Sequence, residues 1–275
     1  MLVTVTQSTN FNSAFGYGVP LCALLLASCA PRPTTTLTIA AAADLNFALE
    51  ELGRPYRSAH PGLDLRVAYG SSGNFYAQIR NHAPFDVFLS ADIDFARRLA
   101  AKPEAVFTYA VGRIVVWVPP NSPLDPATAL RAPGLQHLAI ANPEHAPYGR
   151  AAQAALRALG LHDTLQPKLV LGENVAQTFQ FVQSGAADAG IVALSLVLAP
   201  KVRGQGRYWE VPQDLYPTLE QGGIILHDSP AARDFRDLLL SPAGRSILSE
   251  FGFSQPVGRT IGLGRPPKPH SGALL

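Results

Sequence analysis

The chain has 275 residues, of which 47% are hydrophobic and 15% charged, and its formal net charge at pH 7 is +2. This length and composition are typical of a globular protein with one large domain or two smaller ones. The low charge argues against a nucleic-acid partner, which would require a dense basic surface.

The N-terminal region has the pattern of an export signal. Residues 19–28 form an apolar run that is too short to span a bilayer. It ends in Leu26-Ala27-Ser28-Cys29, which resembles the lipobox of bacterial lipoproteins, although no Lys or Arg precedes Arg32. We therefore expect a signal peptide over 1–28 and lipid attachment at Cys29; an ordinary signal peptide with a chance cysteine is the alternative.

The flanks of the expected domain are short. Residues 29–36 are predicted to be the anchor and tether, and the Gly/Pro-rich residues 261–275 a disordered tail. Cys22 and Cys29 are the only cysteines, so the mature chain would have no disulfide, catalytic thiol or cysteine-ligated metal.

The first part of the domain alternates between strand and helix patterns. We predict strands over 37–42, 65–69 and 87–90, and helices over 44–58, 72–81 and 93–101. This β-α-β-α-β order predicts a parallel sheet covered by helices on both faces.

A second series of the same kind follows a crossing strand over 113–119. Its predicted strands are 138–141, 169–171 and 190–193, and its helices are 148–159 and 174–184. A late strand over 223–227 and helices over 231–240 and 243–251 end the pattern. The order suggests an α/β protein with two lobes joined by two hinge strands, lobe I being 37–115 plus 221–260 and lobe II being 116–220.

Four strand-to-helix turns carry small or capping residues where a helix begins: Ala43-Asp44, 70–73, 147–149 and 173–175. A helix N-terminus offers unpaired N–H groups and about half a positive charge, so four of them could bind a dianion without any Lys or Arg. Ser72 and Asn174 would also serve as plain N-caps, with Gln177 at a capping-box spacing. The glycines around Ser71-Ser72 favour a ligand role, because they would let a ligand approach bare backbone.

Motifs of other classes are absent from the sequence. It contains no P-loop, no H-E-x-x-H and no G-x-S-x-G pattern, and its seven histidines are scattered. An enzyme would need an activated nucleophile or an acid–base pair in the cleft. The sequence therefore favours a binding protein over an enzyme.

Several segments resemble the molybdate-binding proteins of ABC transporters. The most specific are YGSSGNFYAQI at 69–79 and AIANPEHAPYG at 139–149, and matching pieces run in order through most of 37–255. The resemblance implies the two-lobed type II periplasmic binding protein fold, in which each lobe is a parallel-rich sheet flanked by helices. The ligand would lie in the cleft between the lobes.

The resemblance also implies the residues that hold the anion. Ser72, beside Ser71, would donate its hydroxyl and amide, and Tyr148 and Val175 mainly their backbone N–H groups. The metal of the site would be the molybdenum atom of the anion itself, held through Ser72, Tyr148 and Val175. The first turn supplies Ala43 and Asp44, where relatives usually have hydroxyl or amide side chains.

Asp44 departs from that pattern, because a dry, unpaired carboxylate would repel a dianion. Three roles remain open: Asp44 caps its own helix, which we favour; it accepts a proton from a protonated oxyanion; or it coordinates the metal.

These features predict a non-enzymatic protein that binds molybdate and tungstate and uses no cofactor. Its expected partners are an ABC transporter permease and the membrane, reached through the lipid anchor; we expect a monomer on the periplasmic or cell-surface side. The rivals are a phosphate- or sulfate-binding protein of the same fold and an enzyme or sensor module on the same scaffold.

Overall fold

The computed structural model describes residues 35–256, which contain ten strands in two sheets. The strands are β1 Thr35–Ala42, β2 Leu63–Gly70, β3 Val87–Ser90, β4 Val106–Gly112, β5 Ile114–Val118, β6 Leu138–Ala141, β7 Leu169–Gly172, β8 Ala189–Ala193, β9 Arg207–Glu210 and β10 Leu219–Ile225. The predicted signal peptide, Cys29 and the 261–275 tail lie outside the described residues.

The helices follow the strands in a βα alternation. They are α1 Asn46–Ala59, α2 Ser72–Arg80, α3 Ile93–Leu99, α4 Pro147–Ala158, α5 His162–Leu165, α6 Val175–Gln183, α7 Leu194–Val197, α8 Pro230–Leu240 and α9 Pro242–Glu250. A 3-10 turn, Ala43–Leu45, separates β1 from α1. No helix within 35–256 has the length and apolarity required to cross a membrane.

The first sheet has the order β2-β1-β3-β10-β4. Strands β1, β2 and β3 are parallel, whereas β10 runs antiparallel to both of its neighbours. Ala42 pairs with Gly70, so the carboxyl ends of β1 and β2 lie side by side. The turns that follow β1 and β2 therefore lie close together at the carboxyl end of the strands.

The second sheet has the order β7-β6-β8-β5-β9. Strands β6, β7 and β8 are parallel, and β5 runs antiparallel to both β8 and β9. Ala141 pairs with Gly172, which brings the turns after β6 and β7 together. Strands β3, β5, β6 and β8 are nearly continuous apolar runs and are buried along their whole length, as helix-covered strands should be.

The chain crosses between the sheets twice. Only Arg113 separates β4 from β5, and the return lies between β9 and β10. The strand predicted over 113–119 is confirmed as β5 to within one residue at each end, but it lies wholly in the second sheet and does not cross between the sheets. Strand β4 of the first sheet was missed. The short edge strand β9 was also missed. The exact lobe limits at 115/116 and 220/221 remain a prediction.

Candidate anion-binding site

One small cavity lies where the carboxyl-end turns of the two sheets face each other. It encloses about 200 Å³ of empty space, including its opening to solvent. The first sheet contributes 42–44, 70–72 and Ala91 to its wall, and the second sheet contributes 146–148 and 174–175. The structure thus brings together all six residues predicted for the oxyanion: Ala43, Asp44, Ser71, Ser72, Tyr148 and Val175.

The two serines of the turn before α2 make different hydrogen bonds. Ser71 is the N-cap, and its Oγ accepts a hydrogen bond from the Asn74 N–H at 3.4 Å. The prediction that Ser72 is the cap was therefore wrong by one residue, because Ser72 is already helical. Ser72 is fully buried, and its Oγ accepts a bond from the Ala91 N–H at 3.0 Å. Since a hydroxyl both donates and accepts, this leaves the Ser72 hydrogen available to a ligand.

The turn before α4 presents backbone rather than side chain. Pro147 and Tyr148 begin the helix, where N–H groups have no partner within the helix. The Tyr148 hydroxyl donates a hydrogen bond to Asp44 Oδ2 at 2.9 Å. Gly149 lets the helix begin directly against β6, since a Cβ there would lie 2.1 Å from the Ala141 carbonyl oxygen.

The turn before α6 is a regular N-cap. Asn174 Oδ1 accepts hydrogen bonds from the N–H groups of Ala176 and Gln177, both at 3.0 Å. The Gln177 side chain accepts from the Glu173 N–H at 2.6 Å rather than from that of Asn174, so the capping box is shifted by one residue. Val175, the first helical residue, is buried in the cavity wall.

Asp44 does not cap its helix, and the favoured expectation was wrong. The 3-10 turn has no side-chain cap, and α1 begins only at Asn46. The carboxylate is 1% exposed and crosses to other elements, where Oδ2 accepts from Tyr148 Oη at 2.9 Å and from Gln221 Nε2 at 2.5 Å. Asp44 Oδ1 is buried without a hydrogen-bond partner among the described residues.

Burial dominates the protonation of this group. It raises the pKa of the Asp44 carboxyl from 3.8 to about 6, while the hydrogen bonds from Gln221 and Tyr148 act in the opposite direction. Burial and the neighbouring Asp44 carboxylate also raise the pKa of Tyr148 well above its ordinary value. The tyrosine therefore remains a hydrogen-bond donor at any pH at which the protein functions.

The electrostatics of the wall come from the backbone. No Lys, Arg or His is among the cavity-lining residues of the part of the chain that the structure describes. Helix N-termini from both sheets point into the cavity, each carrying about half a positive charge. Such a wall can bind a compact anion with neutral donors whose orientation is set by the fold.

Two functional residues were missed by the sequence reasoning. Gln221 in β10 donates to Asp44, and the Ser195 hydroxyl donates to the Asp44 carbonyl oxygen at 2.7 Å. Both lie more than 150 positions from Asp44 along the chain. No signal in the sequence marked Gln221, which lies two residues before the strand predicted over 223–227 and whose burial is seen only in the structure.

The glycines of the 70–73 turn also make room for protein atoms. A Cβ at Gly70 would lie 3.0 Å from the Phe75 ring, and a Cβ at Gly73 would lie 2.5 Å from the His145 carbonyl oxygen. Gly70 lines the cavity as well, and the approach of a ligand to its backbone stays a prediction.

Residues 35–256 contain no cluster of three His, Cys, Asp or Glu side chains that could hold a metal ion. The donor set of the cavity, which consists of N–H groups and a hydroxyl, fits an anion.

Comparison with known proteins agrees with this arrangement. The model of the family described as bacterial extracellular solute-binding protein matches residues 37–254. The molybdate-binding protein ModA of Rhodobacter capsulatus is 35% identical over 252 residues, covering 89% of this chain and 98% of that protein. The putative ABC transporter substrate-binding lipoprotein YvgL of Bacillus subtilis is 30% identical, covering 84% and 94%. The structure of the periplasmic molybdate-binding protein of Azotobacter vinelandii is similar with a TM-score of 0.74 at 33% identity, covering 80% and 99%. This similarity and the two helix-flanked sheets confirm the predicted two-lobed α/β fold.

Proposed function

Since the chain belongs to the bacterial extracellular solute-binding protein family, we propose that it binds molybdate between its two sheets and delivers it to an ABC importer. The ligand assignment is supported by the relatives of R. capsulatus and A. vinelandii, whose names state molybdate binding. The identity to both exceeds 30% over most of each chain.

The observation that carries this proposal is a cavity walled by helix N-termini from two sheets, without a cationic side chain among its described lining residues. Neutral donors stabilise an anion without the cost of a buried cation in the empty site. Donors in both walls also mean that one anion can be held only when the walls face each other. Capture between two lobes follows from this geometry.

The roles of the individual residues follow from their hydrogen bonds. Ser72 supplies its hydroxyl and its N–H, whereas Ser71 supports the turn as its cap. Tyr148 and Val175 supply N–H groups from the second sheet, and Ala43 and Asp44 supply backbone N–H groups from the first. Selectivity over sulfate would come from the size of the cavity, because both anions are tetrahedral dianions.

Asp44 is the specific observation that favours a second candidate, a phosphate-like ligand. An ionised, buried carboxylate can accept a hydrogen bond from a protonated oxyanion, which molybdate at neutral pH does not offer. With a pKa of about 6, however, Asp44 can also take up a proton itself when a dianion enters. The molybdate proposal requires that Asp44 takes up a proton, and the phosphate rival requires that Asp44 stays ionised and accepts a hydrogen bond from the ligand.

The finer predictions extend this function. We propose that tungstate binds as molybdate does, and that the protein acts outside the cytoplasm as a monomer without catalysis. We further propose that Cys29 carries the lipid anchor. The similarity to a lipoprotein of B. subtilis supports the anchor, and the solute-binding relatives support an ABC permease as the partner.

A thermal-shift panel followed by titration calorimetry tests the ligand. The purified protein is compared with molybdate, tungstate, sulfate and phosphate at equal concentration. A ligand at 100 times its Kd adds about 2.7 kcal/mol to the unfolding free energy, or roughly 5–10 °C in Tm for a protein of this size. We expect this shift with molybdate and tungstate. A shift with phosphate or sulfate alone would instead establish one of the rivals.

A further inference from the structure

A row of contacts joins the two sheets beside the cavity. The Gly73 N–H donates to the His145 carbonyl oxygen at 2.9 Å. Gly73 belongs to α2 on the first sheet and His145 to the turn before α4 on the second. We call the group Ser71, Gly73, Asn74, His145 and Glu173 the seam.

The seam depends on the missing side chain of Gly73. A Cβ at this position would lie 2.5 Å from the His145 carbonyl oxygen and 2.9 Å from its Cα, and the backbone atoms of His145 cannot turn away as a side chain could. The backbone of Gly73 does not itself require glycine, because it lies inside a helix and not among the positive-φ glycines of the described residues. Only the approach of the opposite sheet requires glycine here.

Side chains reinforce the same contact. His145 Nδ1 lies 3.0 Å from Ser71 Oγ, and its Nε2 lies 3.6 Å from the Glu173 carboxylate. Asn74 Nδ2 donates a hydrogen bond to Glu173 from across the seam. Ser71 is also part of the cavity wall, so the seam is continuous with the binding site.

We propose that Gly73 and His145 are positioning residues that set how closely the two walls of the anion site can approach. The inference rests on the proposed function, because anion donors come from both walls. In the structure, where the seam is formed, Ser72 of the first wall and Val175 of the second line one cavity. Neither Gly73 nor His145 lines the cavity, so both would act by changing the fraction of molecules in which the two walls are close together.

The apparent affinity of such a protein is its intrinsic affinity multiplied by the fraction of molecules that can close. A side chain at position 73 would lower that fraction. It should leave the binding residues and the fold of each sheet intact, because the three atoms nearest to the added methyl group all belong to His145 of the opposite sheet. The effect should appear mainly as faster dissociation of the anion.

The test uses Gly73→Ala with Gly62→Ala as its matched control. A Cβ at Gly62 meets no atom within 4 Å, so the control adds the same methyl group where there is space. For each protein we would measure anion affinity, the dissociation rate, the Tm without ligand, and the ligand-induced decrease in radius of gyration by X-ray scattering. Gly73→Ala should bind molybdate about tenfold or more weakly, dissociate faster and contract less than the control. Its Tm without ligand should match that of the control.

A second pair of variants keeps the test decisive if Gly73→Ala folds poorly. His145→Ala removes the links to Ser71 and Glu173 but leaves the carbonyl, and it should raise the dissociation rate about threefold. His145→Asn can still reach Ser71 and should recover part of that loss.

Equal affinity and equal contraction in Gly73→Ala and Gly62→Ala, with His145→Ala unchanged, would overturn the inference while the wild type still binds molybdate. If another anion of the panel binds instead, the same ratios on that anion test the seam, and only the molybdate assignment fails. Absence of binding by the wild type to all four anions would overturn both.

Discussion

Asp44 and Asn174 both lie in strand-to-helix turns of the cavity wall, Asp44 after the inner strand β1 and Asn174 after the edge strand β7, and their side chains do opposite things. Each follows a parallel strand at the cavity wall and precedes a helix. Asn174 turns back and caps α6 with two hydrogen bonds to Ala176 and Gln177. Asp44 turns away from its helix and accepts hydrogen bonds from Tyr148 and Gln221.

The difference arises from local geometry. At Asn174 the helix begins with the next residue, so Oδ1 is within reach of the free N–H groups. At Asp44 a 3-10 turn delays the α-helix until Asn46. The Asp44 carboxylate is therefore free to accept a hydrogen bond from Tyr148 of the second sheet. Asn174 caps its own helix, whereas Asp44 links the two walls of the cavity.

The largest expected effect is a pH dependence of stability that Asp44 confers and Asn174 does not. Because folding raises the Asp44 pKa from 3.8 to about 6, the folded state holds the proton more tightly than the unfolded chain. The unfolding free energy contributed by Asp44 is then highest below about pH 4 and falls by up to roughly 3 kcal/mol as the pH rises to about 6.

Denaturant unfolding of the anion-free wild type and of Asp44→Asn between pH 4 and 7 measures this slope. The difference between the two proteins should change across that window and stay constant above about pH 7. A constant difference throughout would show that Asp44 is ionised with an ordinary pKa in the fold.

The next effect concerns a side chain that faces the ligand. Ser72→Ala should weaken molybdate binding by about 1.5–3 kcal/mol, because it removes a hydrogen bond to a charged group. Calorimetry at pH 7 measures this loss. Ser71→Ala removes the N-cap of α2 and should lower the Tm. Full affinity in Ser72→Ala would remove its hydroxyl from the anion site.

The charge of the first wall can be removed with almost no change of shape. Asp44→Asn should bind molybdate as well as the wild type or up to about tenfold more tightly at pH 8, because it no longer repels a dianion. The advantage should vanish at pH 5, where Asp44 of the wild type is protonated. Complete loss of molybdate binding would indicate a coordinating carboxylate, and a gain in phosphate affinity would contradict the phosphate rival.

The smallest effect belongs to the cap of the second wall. Asn174→Ala should lower the unfolding free energy by about 1 kcal/mol through loss of the cap, measured by denaturant titration. Asn174→Asp keeps a capping oxygen and should retain stability, but it adds a carboxylate to the cavity wall and should weaken anion binding at pH 8. If Asn174→Asp bound the anion as tightly as the wild type, the wall would tolerate charge at either turn.

Much of the fold could be predicted from local pattern. The strands 87–90 and 138–141 match the structure at both ends, because short apolar runs between turn residues mark covered strands. The strands β4 and β9 could not be predicted. The pairing of β4 with β10 rather than with the neighbouring β5 is decided by partners distant in sequence, and β9 is a short, largely exposed edge strand with little apolar pattern.

The candidate site likewise has features that the sequence predicted and features that it did not. The turns and their helix N-termini are properties of adjacent residues, and the sequence by itself placed the caps of α2 and α6 to within one position, although the cap predicted at Asp44 was wrong. The hydrogen-bond partners of the Asp44 carboxylate and the need for glycine at position 73 were decided only by the tertiary structure. Tyr148, which binds Asp44, and His145, which contacts Gly73, belong to the second sheet, and Gln221 belongs to β10, a late strand of the first sheet. A local pattern describes how a turn can begin a helix, but which atoms face that turn depends on how the two sheets pack.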